Sequence, residues 1–229
     1  MNAHHPINIE ALLTHIPLFE GLAPEEITRI ARSTREIHAT KGDILFHKGD
    51  PCSGFHLLVY GQVKLAFTSQ QGSEKVVEIL QQGQSFGEAI MFMDKPYIVF
   101  AQALTDSLLL HVSKQAVFDE LARDHALCRK MLAGMAMRLH QLMNDVESYS
   151  LHSGKQRIIG YLLRENAETD ARALTVTLPT SKGTIASRLN LTQEHFSRIL
   201  HELSEAGLIV VEGRKITIPD VEKLRGYDL

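Results

Sequence analysis

The chain has 229 residues, 44% of them apolar, which is enough for one large or two small packed domains and unlike collagenous, disordered or disulfide-rich sequences. A formal net charge of only −3 excludes a protein that coats nucleic acid through bulk charge, so any DNA contact must use a local patch. Met1 to Pro6 has neither the basic run nor the apolar core of a signal peptide, and no apolar stretch approaches about twenty residues, so a soluble cytoplasmic protein without membrane contact is expected.

In chain order, Ile7 to Ala31 has a short helical pattern, with Pro24 in a first helical turn followed by Glu25 and Glu26, where the helix dipole favours acids. From Arg35 to Val112 the texture changes to brief apolar runs between turn glycines. Asp43 to Phe46, Phe55 to Tyr60, Val63 to Phe67, Lys75 to Leu80, Val99 to Leu104 and Ser107 to Val112 are examples, and they indicate a β-sandwich or roll of about eight strands. Ser113 is a candidate N-cap for a short helix through Leu121.

A long helix is expected over 124–150. Cys128, Leu132, Met135, Leu139, Leu142, Val146 and Tyr149 follow one another in steps of four and three, the repeat of a two-helix coiled coil. At 1.5 Å per residue the span is roughly 40 Å, comparable with the roughly 34 Å between successive major-groove faces of DNA. The plainer alternative is a helix packed on its own domain's core; three sustained heptads favour a homodimer seam of Leu132, Met135, Leu139, Leu142, Val146 and Tyr149.

Leu151 to Ser153 reads as a hinge, and Ser153 as the cap of a helix carrying Ile158, Ile159, Leu162 and Leu163. Thr175 to Leu178 alternates like a strand. Two helices follow, Ser181 to Leu189 and Gln193 to Ala206, capped by Ser181 and Thr192, with Gly207 ending the second. Leu208 to Val211 and Lys215 to Ile218 then form a hairpin. Helix, tight turn, helix and hairpin make a winged helix-turn-helix. The expected fold is α+β: a β-roll sensor domain of cyclic-nucleotide-binding type over 1–123, a dimerisation helix over 124–150, and a winged helix-turn-helix over 151–229.

On the second of those helices Phe196, Ile199, Leu200 and Leu203 account for a core face, leaving Glu194, Ser197 and Arg198 on the outward one within the first two turns. A guanidinium can donate twice to guanine O6 and N7, and a carboxylate can accept from cytosine N4, so one G·C pair could be read on both partners. An ordinary i,i+4 surface ion pair is the alternative reading of Glu194 and Arg198. Lys182, Thr192, His201 and Arg214 are candidate phosphate contacts. Double-stranded DNA is therefore the expected partner.

Lys41-Gly42-Asp43 with Phe46, Gly49-Asp50, and Leu57 through Leu65, together with Thr192 to Arg198, Leu203 and Gly207-Leu208-Ile209, resemble the CRP/FNR family of bacterial transcription regulators over nearly the whole chain. The Glu-x-x-Ser-Arg pattern at Glu194, Ser197 and Arg198 is similar to that of the FNR branch, which implies inverted TTGAT-type half-sites, with RNA polymerase as the expected further partner. The cAMP-receptor branch has Arg directly before this Glu, where Gln193 stands here.

The resemblance also bears on the sensor. Gly87-Glu88 matches the nucleotide-binding Gly-Glu pair of the cAMP-receptor branch, but Val99-Phe100 and Leu142-Met143 stand where that branch has Arg-Ser and Thr-Ser. A cyclic phosphate there would be an unpaired anion in an apolar cavity, at a cost of several kcal/mol, so cAMP is not expected. The N-terminal cysteines of the FNR iron–sulfur cluster are missing, and Cys52 and Cys128 are far apart, so no iron–sulfur cluster is expected either.

Glu88 to Asp94 with Pro96-Tyr97 resembles the Dnr subgroup, regulators of dissimilatory nitrate respiration, which implies nitric oxide sensing through haem and control of denitrification and anaerobic respiration genes. An effector pocket of Gly87, Glu88, Met91, Phe92, Phe100, Leu142 and Met143 would suit an apolar macrocycle, with His15 or His140 as candidate iron ligands. The plainer alternative is that Met and Phe simply make core. Three rival readings are a family member with another or no effector; a regulatory binding module that reports to a protein partner, against which the helix-turn-helix discriminates; and a cupin-like metalloenzyme, for which His47 and His56 are isolated and no His-x-His pair exists. No catalytic residue is expected.

Overall fold

The computed structural model describes residues 8–14, 19, 22–69, 72–123, 125–164 and 172–227. It opens on two short helices, α1 (Ile9–Thr14) and α2 (Pro24–Arg32). Pro24 takes the first turn of α2, where its missing N–H would have had no intrahelical acceptor, and the Glu26 carboxylate accepts from the Ala23 N–H at 2.7 Å.

Eight strands follow: β1 (Thr34–Ala39), β2 (Ile44–Phe46), β3 (Gly54–Tyr60), β4 (Val63–Thr68), β5 (Glu74–Leu80), β6 (Ser85–Phe86), β7 (Phe100–Ala103) and β8 (Ser107–Ser113). They form two four-stranded sheets in the orders β1-β8-β3-β6 and β2-β7-β4-β5. The first sheet is covered on both faces, and strand alternation divides its side chains between two cores. Phe55, Leu57, Leu110 and Val112 join Leu13, Phe19, Ile27 and Ile30 of the N-terminal segment. Leu58, Leu109 and Phe86 join Phe46, Ala101 and Ala103 of the second sheet. Antiparallel pairing of Leu57 with Leu110 and of Leu58 with Leu109 fixes this division, because a one-residue slip would exchange the two faces. Gly61, at φ +96°, turns the chain from β3 into β4, and a Cβ there would collide with Ser107 Oγ.

Between β6 and β7 lies α3 (Glu88–Met93), and Ser113 caps α4 (Lys114–Leu121) by accepting the Ala116 N–H. The long helix α5 (His125–Leu151) follows. Its early turns bury Leu127 and Met131 in the first core. Further along, Leu132, Leu139 and Val146 are 56%, 62% and 64% exposed, so an apolar stripe stands bare in the single chain.

The second half contains α6 (Gly154–Arg164), β9 (Leu174–Thr177), α7 (Lys182–Arg188), α8 (Gln193–Glu205), β10 (Val210–Glu212), β11 (Lys215–Ile218) and α9 (Val221–Arg225). Ser153 and Gln156 cap α6 reciprocally, each side chain accepting from the other's backbone N–H. Strands β10, β11 and β9 form a three-stranded antiparallel sheet. Two compact units result, one of residues 1–73 and 77–140 and one of residues 74–76 and 141–229. The α+β class, with roll, long helix and helix-turn-helix, is as the sequence indicates. Eight strands in the roll agree with the expected number, whereas the helix α3, only six residues long, was not among the expected elements.

Candidate nucleic-acid interface

Helices α7 and α8 each begin on a side-chain cap: Ser181 Oγ accepts from Thr184 N–H at 3.1 Å, and Thr192 Oγ from His195 N–H at 3.2 Å. In the break between them Asn190 adopts φ +58°, a left-handed turn that Asn tolerates better than most residues. Phe196, Ile199, Leu200 and Leu203 are buried along one face of α8, and this burial fixes the helix's rotation about its axis.

The opposite face carries Glu194, Ser197 and Arg198, all exposed. Among the described residues neither Glu194 nor Arg198 makes a side-chain hydrogen bond or ion pair, so the i,i+4 surface pair does not form and both groups are available to base edges. Thr192 is exposed, and its hydroxyl, which accepts in the cap, keeps its proton for a phosphate oxygen. Arg214 is exposed on the β10–β11 turn, where its carbonyl accepts from the Leu178 N–H. Lys182 is half-buried in the first turn of α7, and His201 faces solvent with Glu205 3.3 Å away. His201 therefore meets a neighbouring carboxylate that a phosphate would have to outcompete.

The residues expected to line an effector pocket lie in different surroundings. Met91 is fully buried in the first core, and Phe92 stacks edge-on against Phe118 at 5.6 Å. Phe100 is buried beneath the Lys64 ammonium. Leu142 and Met143 are exposed on α5. Within the first unit, α3 turns Met91 and Phe92 toward the N-terminal core.

Glu88 is buried, and its carboxyl is pushed up from its ordinary range, chiefly by burial. The nearest cation is Arg138 of α5, which sequence reasoning missed. Its guanidinium lies 3.8 Å from Glu88, donates to Glu78 Oε1 at 2.9 Å, and donates to the Ser85 carbonyl at 2.9 Å. The surroundings of Glu88 are thus charged, against the apolar expectation. No local pattern singles out Arg138, since its partners lie 50 to 60 positions upstream.

Of the two histidines considered for iron, His140 is exposed, and His15 falls outside the described residues. Among the described residues no group of three or more His, Cys, Asp or Glu side chains is arranged to hold a metal ion. No described helix is long and apolar enough to cross a membrane. Tyr149, the last expected seam position, is half-buried, and its hydroxyl donates to the Arg188 carbonyl at 2.5 Å.

A winged helix-turn-helix carried on a long helix that continues from a β-roll defines a DNA-binding transcription regulator. Residues 36–124 match the cyclic nucleotide-binding domain, and residues 156–227 match the Crp-like helix-turn-helix domain. The chain is 34% identical to DNR from Pseudomonas aeruginosa, whose crystal structure it matches with a TM-score of 0.51 over 96% of this chain and 97% of that one. It is 29% identical to an anaerobic regulatory protein of Pasteurella multocida, over 80% of this chain and 68% of that one. It is 22% identical to a CRP-like cAMP-activated global transcriptional regulator of Mycobacterium tuberculosis, over 94% of this chain and 98% of that one. The chain belongs to the CRP/FNR family of transcription regulators, whose members are typically dimeric and bind small effectors, and which is not an enzyme class.

Proposed function

We propose that the protein acts as a homodimer in the cytoplasm, reads inverted TTGAT-type repeats, engages RNA polymerase and controls denitrification and anaerobic respiration genes in response to nitric oxide. The observation that carries the DNA reading is the pair Glu194 and Arg198, exposed and unpaired on the first two turns of a helix whose other face is core. The bare stripe of α5 supports the homodimer, since burying it needs a partner helix. The likeness to DNR and to an anaerobic regulatory protein supports the respiratory assignment.

Arg198→Ala tests the reading of DNA. On an inverted TTGAT repeat it should cost about 1 to 3 kcal/mol, a loss of about five- to 150-fold, with binding to random duplex unchanged. Equal loss on both duplexes would make Arg198 a phosphate contact and remove direct readout.

Haem is the carrier that nitric oxide sensing implies; of its candidate ligands His140 is exposed on α5, and Met91 of the candidate pocket is buried in the first core. The absorption spectrum of protein mixed with haem, before and after nitric oxide, decides the point. A spectrum identical to free haem removes that carrier and leaves the DNA reading intact. A specific observation favours a second effector reading: the buried Glu88, close to Arg138, suits a polar effector that exchanges for those contacts.

A further inference from the structure

The second unit contains a cavity of about 620 Å³ that DNA contact does not use. It lies among the last turns of α5, the length of α6 and the ends of α7 and α9. That volume suits an organic molecule of one or two rings and exceeds the needs of a lone ion. Three of the chain's five tyrosines, Tyr149, Tyr161 and Tyr227, stand on its wall, with Leu163 and Leu189 as apolar lining. Tyrosines on the wall of a recess offer flat faces for an aromatic body.

The charges on that wall are unequally answered. Arg188 donates to Asp145, and Arg225 to Glu222. Arg157 has no carboxylate partner among the described residues; its guanidinium lies 5.9 Å from the centre of the Tyr149 ring, and its Nε is buried without an acceptor. A guanidinium forms a planar fork that fits a carboxylate through two parallel hydrogen bonds. Glu147, exposed, is the other carboxylate on the wall. The Lys75 ammonium, 4.8 Å over the same Tyr149 ring, is pushed down to about 8, first by burial and then by Arg188, with Asp145 opposing and Arg157 adding to the effect.

We propose that this cavity is a binding site for a small aromatic carboxylate, with the anionic head at Arg157 and the ring against the tyrosines. A ligand there touches the end of the long helix and three helices of the DNA-reading head together, and so favours one arrangement of those helices. Its influence on DNA affinity rests on the DNA reading above; its binding does not.

The test uses the full chain without DNA and two matched probes, 2-naphthoate and the uncharged 2-naphthalenemethanol. Because the chain has no tryptophan, its intrinsic emission comes from tyrosine, and a naphthalene held in the cavity quenches it by energy transfer. The expected result is saturable quenching by 2-naphthoate, one per chain, at least tenfold tighter than by the alcohol. Arg157→Met should abolish that preference, and Arg157→Lys should retain part of it. Gly160→Phe provides a second variant that does not touch Arg157: Gly160 lines the cavity, and a Cβ there meets nothing within 4 Å, so a ring fits and blocks entry. Loss of 2-naphthoate binding in a folded Gly160→Phe protein supports the site even if Arg157→Met does not fold. Equal affinity for the two probes, a charge preference that survives Arg157→Met, or binding unaffected by Gly160→Phe overturns the proposal.

Discussion

The Arg188 guanidinium donates to Asp145 Oδ2 at 2.7 Å, joining the last residue of the first helix of the helix-turn-helix to the final turns of the long helix. The same guanidinium donates to the Tyr149 hydroxyl at 2.6 Å. With the two charged side chains only 17% and 12% exposed, neither partner is well placed to recover its solvation alone.

Asp145→Ala should therefore destabilise the second unit by about 3 kcal/mol, because it strands a largely buried guanidinium. Adding Arg188→Met should restore most of that loss, since the stranded charge disappears with it. Urea denaturation of the two single variants and the double variant measures the coupling. Additive losses would show that water already screens the pair.

The bare stripe on α5 makes a prediction about assembly. Leu139→Lys places a charge where a partner helix would pack, and should weaken self-association by at least tenfold without altering helix content. Sedimentation across a concentration series separates the two species. A protein that is monomeric before the substitution would exclude the homodimer.

His56 gives the roll an acid-sensitive core. It lies between Phe46 and Phe86, with ring centroids 5.7 and 5.0 Å away, and its Nδ1 has no hydrogen-bond partner. Burial, with smaller contributions from His111 and Arg35, lowers its pKa from 6.5 to about 3. The unfolded chain therefore binds this proton first. Stability is fully present above pH 6.5 and lost as the pH falls toward 3, by up to about 5 kcal/mol in total. His111, also lowered chiefly by burial, acts in the same sense. His56→Phe should flatten the slope of stability between pH 6.5 and 4, measured by denaturant titration at each pH.

Glu88 works in the opposite direction. Its raised pKa contributes stability below the ordinary carboxylate range and loses it as the pH rises through the folded value. Arg138→Met would remove the nearest positive charge and raise that pKa further. The variant should be less stable than the parent by about 1 to 3 kcal/mol at pH 7, and the deficit should shrink toward pH 4. A deficit independent of pH would assign Arg138 a packing role instead.

Local rules explain how much of this molecule could be read in advance. Ser113, Ser181 and Thr192 each cap a helix through their own side chains, and the apolar spacing of Phe196, Ile199, Leu200 and Leu203 follows a helix one residue at a time. The outward position of Glu194 and Arg198 follows by elimination. The ties among Arg138, Glu78 and Ser85, and between Arg188 and Asp145, join residues 43 to 60 positions apart, and no local pattern announces them. Met91 and Phe92 were hardest to place, because either a pocket or a core accepts such side chains and only the direction of α3 decides.

The neighbours Met131 and Leu132 look in different directions from one rod. Met131 is held inside the protein's own core, while its successor waits in water for a second chain. Turning the rod about its axis by one residue, about 100°, would drag the methionine into solvent at a cost of about 2 kcal/mol. The grip on Met131 therefore acts as a stop against spinning of the helix about its axis.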